Sequence, residues 1–255
     1  MVSADTLKVK KYTLEVCVDS VESAIAAEKG GATRLELCQD LVIGGTTPSP
    51  SLFFHVKEAV DLPVNVLIRP RFSDFLYSKE EILLMADDIA FFSKNGANAV
   101  VTGALLADGS INKEAIKLFA EKSGKAGMTF HRAFDMCKDP LSFIKEAPSL
   151  GVDTILTSGL KQNAKDGAEN IKTFVKEANG TLTVLAGGGI NAGVIAYFLK
   201  ECRELTAFHM SGKTEKESAM VYKNNEVNMG IPGINEYSYF VTDEKKIREA
   251  SRLLF

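Results

Sequence analysis

Residues 14–38 read LEVCVDSVESAIAAEKGGATRLELC and contain one complete strand–helix–strand unit. The runs at 14–18 and 34–38 are short and β-rich, and apolar residues alternate with Glu and Cys within each of them. Between these runs, Ser20 is a favourable N-cap for a helix over 21–29, and Gly30-Gly31 ends it. This stretch therefore predicts a βαβ unit, the repeating element of α/β folds.

The same unit recurs along the whole chain. Eight β-rich runs alternate with segments of helical periodicity, and Ser78 with Glu81 forms a capping-box pattern at the start of the third helix. The runs lie at 14–18, 34–38, 64–69, 99–103, 128–131, 154–158, 183–187 and 207–211. They predict a single-domain (β/α)8 TIM barrel over residues 12–255. An open doubly wound sheet is the alternative, but the residues after the first strand, Cys17-Val18-Asp19-Ser20, lack the glycine fingerprint that such sheets usually carry there.

Composition indicates an ordinary globular protein and excludes several classes. The net charge of −3 gives no basic surface for nucleic acid, and no apolar run approaches the about 20 residues of a membrane span. Four cysteines in 255 residues do not form a disulfide framework, and residues 1–11 contain no hydrophobic region of a secretory signal. We therefore expect a cytoplasmic protein with reduced thiols and a short disordered lead-in at residues 1–11.

Strand alternation assigns the polar side chains of the strands to the barrel interior. The outer face of each strand must be apolar because it packs on helices, so the alternate residues point inward. In the first two strands these are Glu15, Cys17, Glu36 and Cys38. The other strands add Asn65, Leu67, Arg69, Thr102, Thr129, His131, Thr157 and His209. Because several of these lie near strand C-termini, where sites form in this fold, we expect a polar cluster at that mouth of the barrel.

Two interpretations of this cluster remain open. In the structural one, Arg69 pairs with Glu15 or Glu36, and the charges only neutralise one another inside the barrel. In the functional one, the residues bind a ligand, which is favoured because barrel interiors are usually filled by Val, Ile and Leu. Buried ion pairs also contribute little to stability, so neutralisation alone explains the cluster poorly.

Many short motifs of the chain resemble those of the CutC family, which is linked by name to copper homeostasis. The longest is Thr-Phe-His-Arg-Ala-Phe-Asp-Met-Cys at 129–137, and a second is Ile-Arg-Pro-Arg at 68–71. The others are LEVC (14–17), RLELC (34–38), GGTTPS (44–49), Asp74-Phe75, Tyr77-Ser78, VTG (101–103), Asp108-Gly109, LTSG (156–159) and EYS (236–238). They are spread in order over residues 12–245, so the resemblance covers nearly the whole chain.

The resemblance implies a cytoplasmic TIM-barrel protein that forms a homo-oligomer and binds copper. The copper proposal for the family rests on two cysteines that match Cys17 and Cys38. From the residues themselves, these thiols lie on adjacent strands about 4.8 Å apart, and two soft thiolates suit Cu(I). His131 or His209 can supply a third, nitrogen ligand. The alternative is that both cysteines are small buried core residues with inert thiols.

An enzyme acting on a small anionic or phosphorylated metabolite is the alternative function. Glu15 and Glu36 on neighbouring strands repel one another, which raises the pKa of one and makes it a candidate general acid or base. The candidate catalytic residues are Glu15, Glu36, Arg69, His131 and Asp135. The candidate substrate-binding residues are Arg71, Arg132, Thr102, Thr157, Gly188, Gly189 and Ser211. Because the chain has no NAD or ATP motif, the expected chemistry is of the lyase, isomerase or hydrolase type.

Overall fold

Eight parallel strands close into a single barrel in the computed structural model, which describes residues 12–224, 226, 227, 229, 230, 233 and 235–255. The strands are β1 (Thr13–Val18), β2 (Arg34–Leu37), β3 (Val64–Leu67), β4 (Ala99–Thr102), β5 (Gly127–Phe130), β6 (Thr154–Thr157), β7 (Thr183–Ala186) and β8 (Ala207–Met210). They follow chain order around the barrel, and β8 pairs with β1 to complete the ring. The predicted TIM barrel is confirmed, whereas the predicted lead-in at residues 1–11 lies outside the described residues.

Helices follow the strands and cover the outside of the barrel. They are α1 (Val21–Lys29), α2 (Pro50–Ala59), α3 (Lys79–Lys94), α4 (Lys113–Ser123), α5 (Pro140–Glu146), α6 (Ala168–Ala178), α7 (Ala192–Glu201) and α8 (Glu244–Leu254). Side-chain caps fix where they start: Ser20 accepts a hydrogen bond from Ser23 N, and Ser78 and Glu81 form the predicted capping box. None of the described helices is long and apolar enough to cross a membrane.

Asp139 followed by Pro140 predicts a helix that extends to about Leu150, but the α-helix in the structure is shorter. Asp139 caps α5, which ends at Glu146, and a 3-10 helix continues over Ala147–Leu150. Pro148 causes the change because its nitrogen carries no hydrogen for an α-helical bond. Two further 3-10 helices, Leu41–Ile43 and Arg132–Met136, follow β2 and β5 and bring loop residues over the mouth of the barrel.

Apolar side chains form one large layer outside the barrel and two small clusters inside it. The outer layer lies between strands and helices and includes the T-shaped pair Phe53 and Phe92, whose ring centroids are 5.3 Å apart. The inner clusters are Cys17, Cys38, Leu67 and Val101, and Leu156, Leu185 and Ala207. The interior is therefore only partly apolar, and Glu15, Glu36 and Asn65 are buried there, on the side that alternation predicts.

A two-stranded antiparallel hairpin after β8 is a feature that the sequence reasoning does not predict. β9 (Lys213–Glu217) pairs with β10 (Ser238–Thr242), and the hairpin packs against α1, where Lys216 Nζ donates to Glu22 Oε1 at 2.6 Å. β9 reads KTEKE, in which no apolar residue alternates with the polar ones. Periodicity therefore gives no strand signal at this position.

Gly159, in the loop after β6, and Gly180, after α6, allow a matched test of backbone crowding. Both have positive φ, +71° and +76°, but a Cβ on Gly159 would collide with the backbone of Gly167, whereas one on Gly180 meets nothing within 4 Å. We expect Gly180→Ala to lower the free energy of unfolding by about 1 kcal/mol, because of its left-handed backbone alone. Gly159→Ala should lower it by roughly 2 kcal/mol more, because the crowded backbone cannot move aside. Urea denaturation of both variants measures the difference, and equal losses would show that the loop has room for a side chain.

Candidate functional site

A cavity of about 400 Å³ opens at the C-terminal ends of the barrel strands. Cys17, Glu36, Leu67 and His209 line it from β1, β2, β3 and β8. Arg69, His131, Arg132, Gly188, Gly189 and Ser211 line it from the connections beyond the strands. A larger depression of about 860 Å³, lined by Asp153 and Thr183 among others, lies at the N-terminal ends of the strands, where this fold does not place its sites. The cavity at the mouth is therefore the candidate functional site.

Cys17 and Cys38 place two thiols side by side inside the barrel. Cys17 lies opposite Glu36 in the register of β1 and β2, and Cys38 directly follows β2. The two Sγ atoms are 3.7 Å apart, and the residues are 5% and 0% exposed. Because a disulfide requires a separation of about 2.05 Å, both thiols are free.

Both thiols are held in their neutral form. The hydrogen bond with Cys38, together with burial, raises the pKa of Cys17 well above its usual value. The bond with Cys17 acts to lower the pKa of Cys38, but burial and the nearby carboxylates of Glu36, Asp19 and Asp40 raise it overall. A metal ion binding here must therefore displace a proton from each sulfur that it takes as a ligand.

Glu15 lies deeper in the barrel than the thiols and has partners on three other strands. Its Oε2 accepts hydrogen bonds from Arg34 Nε at 2.5 Å and Asn65 Nδ2 at 2.8 Å, and its Oε1 lies 2.8 Å from His209 Nδ1. Burial acts to raise the pKa of Glu15, but the hydrogen bond with His209 and the charge of Arg34 outweigh it and bring the pKa to about 2. Burial acts to lower the pKa of His209, whereas Glu36, Cys17 and Glu15 raise it well above the ordinary value. Glu15 and His209 therefore form a carboxylate–imidazolium ion pair.

Glu36 differs from Glu15, although the two carboxyl groups are on neighbouring strands. Burial raises the pKa of Glu36 to about 7, with the charge of His209 opposing the shift and that of Glu15 adding to it. Its Oε1 accepts a long hydrogen bond of 3.8 Å from Cys17 Sγ, and its buried Oε2 lies 3.3 Å from His209 Nδ1 without forming a hydrogen bond. Cys17, Glu36 and His209 thereby bring three ligand atoms within 4.8 Å of one another, a spacing that a metal ion can bridge.

Arg69 bonds to backbone carbonyls and pairs with neither Glu15 nor Glu36, so the structural interpretation of its charge is wrong. Its Nη1 donates to Ile43 O at 3.4 Å and Gly45 O at 3.0 Å, and its Nη2 donates to Ser73 O at 3.0 Å. The guanidinium also lies over the ring of Phe75, with Cζ 5.4 Å from the ring centroid. These contacts place the positive charge of Arg69 on the cavity wall, away from the carboxylates that it was expected to neutralise.

His131 packs against the ring of Phe75, as Arg69 does. Its centroid is 4.7 Å from that of Phe75. Nδ1 accepts a hydrogen bond from Ala133 N at 3.2 Å, which places the proton of the neutral ring on Nε2. Burial, assisted by the charge of Arg69, lowers the pKa of His131 to about 3. The imidazole is therefore neutral, and its buried Nε2 has no hydrogen-bond partner among the described residues.

Asp135 holds the loops after β5 and β6 together and makes no hydrogen bond with His131 within the described chain. It accepts hydrogen bonds from Thr157 Oγ1 at 2.5 Å, Ser158 N at 3.0 Å, Ser158 Oγ at 2.9 Å and Arg132 Nε at 2.8 Å. The structure therefore does not join these two candidate catalytic residues by a hydrogen bond. Asp135 instead positions Arg132 beside the cavity, and Thr157 supports Asp135.

Three of the predicted substrate-binding residues, Arg71, Thr102 and Thr157, are not on the cavity wall. The prediction that Thr102 and Thr157 point inward is wrong, because their strand neighbours Val101 and Leu156 are the residues in the inner clusters. Arg71 Nε donates to Glu81 at 2.6 Å, and its Nη2 donates to Leu76 O at 2.8 Å. Thr102 is fully buried, and its Oγ1 has no partner among the described residues. Gly188, Gly189, Ser211 and Arg132 do line the cavity.

The chain is similar to known proteins over most of its length. The sequence profile of the CutC family matches residues 12–214. The chain belongs to the CutC family. A human protein named copper homeostasis protein cutC homolog is 44% identical over 238 residues, which are 93% of this chain and 87% of that one. A CutC family protein of Bacteroides fragilis strain YCH46 is 41% identical over 242 residues, 94% of this chain and 96% of that one.

A solved CutC structure has the same fold. It is the crystal structure of a protein from Streptococcus agalactiae that is described as a copper homeostasis protein. The two structures superpose with a TM-score of 0.74 at 28% sequence identity, covering 78% of this chain and 98% of that chain. The barrel described above is therefore shared with another CutC protein.

Two residues that contact the site residues of this CutC barrel are not identified from the sequence. Arg34 is the cation that pairs with Glu15. The side chains of Arg69 and His131 both pack against the ring of Phe75. A signal for Arg34 is present, because it lies two residues before Glu36 and so shares the inward face of β2. Phe75 belongs to one of the CutC motifs, but no periodicity assigns it a role because it lies in a loop.

We expect Glu15→Gln to destabilise the protein at neutral pH and to have less effect as the pH falls. The pKa of Glu15 in the folded protein, about 2, is below its ordinary value of 4.5, so the carboxylate stabilises the fold above about pH 4.5. That contribution, on the order of 3 kcal/mol, is lost as the pH falls from 4.5 towards 2. Urea denaturation between pH 3 and 7 measures the difference in the free energy of unfolding between wild type and variant.

The control for this experiment is Glu121→Gln on the exposed face of α4, where the same change should alter the free energy of unfolding by less than about 0.5 kcal/mol. If Glu15→Gln lowered the free energy of unfolding by the same amount at every pH, that result would contradict the ion pair between Glu15 and His209.

Proposed function

We propose that the chain binds Cu(I) through Cys17 and Cys38 and acts in copper homeostasis. The observation that carries the proposal is the pair of free, buried sulfurs 3.7 Å apart at the edge of the mouth cavity. The human relative and the Streptococcus agalactiae structure are both described as copper homeostasis proteins, which supports this reading. Reduced thiols suit the cytoplasm, which stays our expected location, and a homo-oligomer stays our expected assembly.

The spacing of the sulfurs fits a shared metal ion. A metal–sulfur bond of about 2.3 Å at tetrahedral to trigonal angles separates two sulfurs by roughly 3.8 to 4.0 Å. The observed 3.7 Å needs little adjustment to reach that range. Soft thiolate ligands select Cu(I) over hard cations such as Mg²⁺ and Ca²⁺, so the donor set favours copper in its reduced state.

His209 is better placed than His131 to act as the third ligand of the metal. Its Nδ1 is engaged by Glu15 at 2.8 Å, which leaves Nε2 for a metal, and a carboxylate behind a ligating imidazole is the usual supporting contact. In both imidazoles Nε2 must lose its proton before it can bind a metal. The ring of His131 has no carboxylate behind it among the described residues, since its Nδ1 accepts a hydrogen bond from Ala133 N instead. His209 also belongs to the cluster with Cys17 and Glu36, whereas His131 does not.

The test of the dithiol site uses Cys17→Ser/Cys38→Ser and a matched double variant, Cys137→Ser/Cys202→Ser, which removes the two other free thiols. Cu(I) is titrated into each reduced protein in competition with a chromogenic chelator. We expect the affinity of the first variant to fall by more than about a hundredfold, since even a supporting contact to a ligand is worth about 10- to 100-fold. The control should bind as wild type does. Equal affinities for all three proteins would rule out the dithiol site.

The choice of the third ligand is tested with His209→Gln and His131→Gln. We expect His209→Gln to weaken Cu(I) binding by about 10- to 100-fold and His131→Gln to leave it within about twofold of wild type. The same competition titration measures both, and circular dichroism confirms that each variant is folded. The reverse order of effects would assign the nitrogen ligand to His131.

A further inference from the structure

The mouth cavity has a second wall whose chemistry is opposite to that of the thiols. Arg69 is 8% exposed and lines the cavity, yet no carboxylate of the described residues lies within ion-pair distance of it. Its three hydrogen bonds all go to backbone carbonyls, which are neutral. A buried charge without a counterion is strongly unfavourable, so this guanidinium is poised for an anion from outside the chain.

Arg69 retains hydrogen-bonding capacity for such an anion. A guanidinium has five N–H donors, of which three are used here. The two that remain are one on Nη2 and the Nε donor, which is buried and has no hydrogen-bond partner among the described residues, although the hydroxyl of Tyr77 lies near the guanidinium. Nε and Nη of one guanidinium form the planar fork that binds a carboxylate or phosphate through two parallel bonds.

His131 adds a neutral donor to the same wall. Phe75 carries both side chains, with Arg69 Cζ 5.4 Å and the His131 centroid 4.7 Å from its ring centroid. The N–H of His131 Nε2 has no acceptor among the described residues, although the side chain is 4% exposed and lines the cavity. A cation and an uncharged N–H donor side by side suit an anionic oxygen and have nothing to offer a metal cation.

We propose that Arg69 and His131 form a binding site for the oxyanion, carboxylate or phosphate, of a small metabolite. The cavity of about 400 Å³ is of the size that small-molecule sites have, and it is open enough for the rest of the metabolite to extend towards Arg132 and Gly188. The site is separate from the thiol pair, and it does not depend on whether copper binds there.

The test compares Arg69→Met with Arg71→Met, because Arg71 is two residues away, pairs with Glu81 and lies off the cavity wall. Orthophosphate and acetate are titrated separately into each protein at constant ionic strength, and the shift in Tm gives the apparent Kd. We expect at least one of the two anions to stabilise the wild-type protein. Binding of that anion should be about tenfold or more weaker in Arg69→Met and unchanged in Arg71→Met. The anion with the larger shift identifies the chemical class.

Arg69→Met also removes the hydrogen bonds from Arg69 to the carbonyl groups of two loops and could disturb those loops, so a second variant is needed. His131→Phe keeps a ring against Phe75 but removes the Nε2 donor, and it should weaken binding of the same anion several-fold. Cys17→Ser/Cys38→Ser should bind the anion as wild type does. The anion site can therefore be confirmed even if the protein does not bind Cu(I). No shift with either anion, or equal shifts in wild type, Arg69→Met and His131→Phe, would overturn the site.

Discussion

A single buried carboxylate organises the mouth of the barrel. Glu15 on β1 bonds to Arg34 on β2, Asn65 on β3 and His209 on β8, so it joins four adjacent strands in one hydrogen-bonded cluster. Burying a charge is costly unless it is paired and hydrogen-bonded, and these strands must keep their register for Glu15 to stay satisfied. The same contact fixes the orientation of His209 and directs its other nitrogen away from Glu15. The arrangement of the candidate metal ligands therefore depends on an ion pair beneath them.

Two imidazoles at the mouth acquire opposite protonation from their neighbours. His209 faces the carboxyl groups of Glu15 and Glu36, which raise its pKa, whereas burial and Arg69 lower the pKa of His131. The cavity is divided accordingly into a wall that contains Cys17 and Glu36 and a wall that contains the nitrogen donors of Arg69 and His131. A metal cation is repelled by the charge of Arg69, and an oxyanion is repelled by the ionised form of Glu36. The two proposed ligands therefore favour different parts of one cavity and need not compete.

The parts of this site that the sequence predicts are those governed by local rules. Alternation along β1, β2 and β8 places Cys17, Glu36 and His209 inside the barrel because a strand has a two-residue period wherever it occurs. The partners of Arg69 were not predictable in this way, since they are carbonyl groups in two loops whose shape depends on long-range contacts. The hairpin of β9 and β10 was not predicted for a related reason. All residues of β9 are polar, so its sequence has no alternation that would indicate a strand.

Charge balance links the proposed copper site to the carboxyl groups around it. Cu(I) brings one positive charge, but taking Cys17, Cys38 and His209 as ligands displaces three protons, since both thiols and the imidazole are protonated beforehand. The site would then become more negative by two charges. Arg34 offsets part of that change because its charge is permanent. The pKa of Glu36 is about 7, so at neutral pH this carboxyl group can take up a proton. Its protonation would offset a further part of the added negative charge. Two carboxyl groups with different pKa values therefore serve different needs: Glu15 holds the imidazole in place, and Glu36 adjusts the charge.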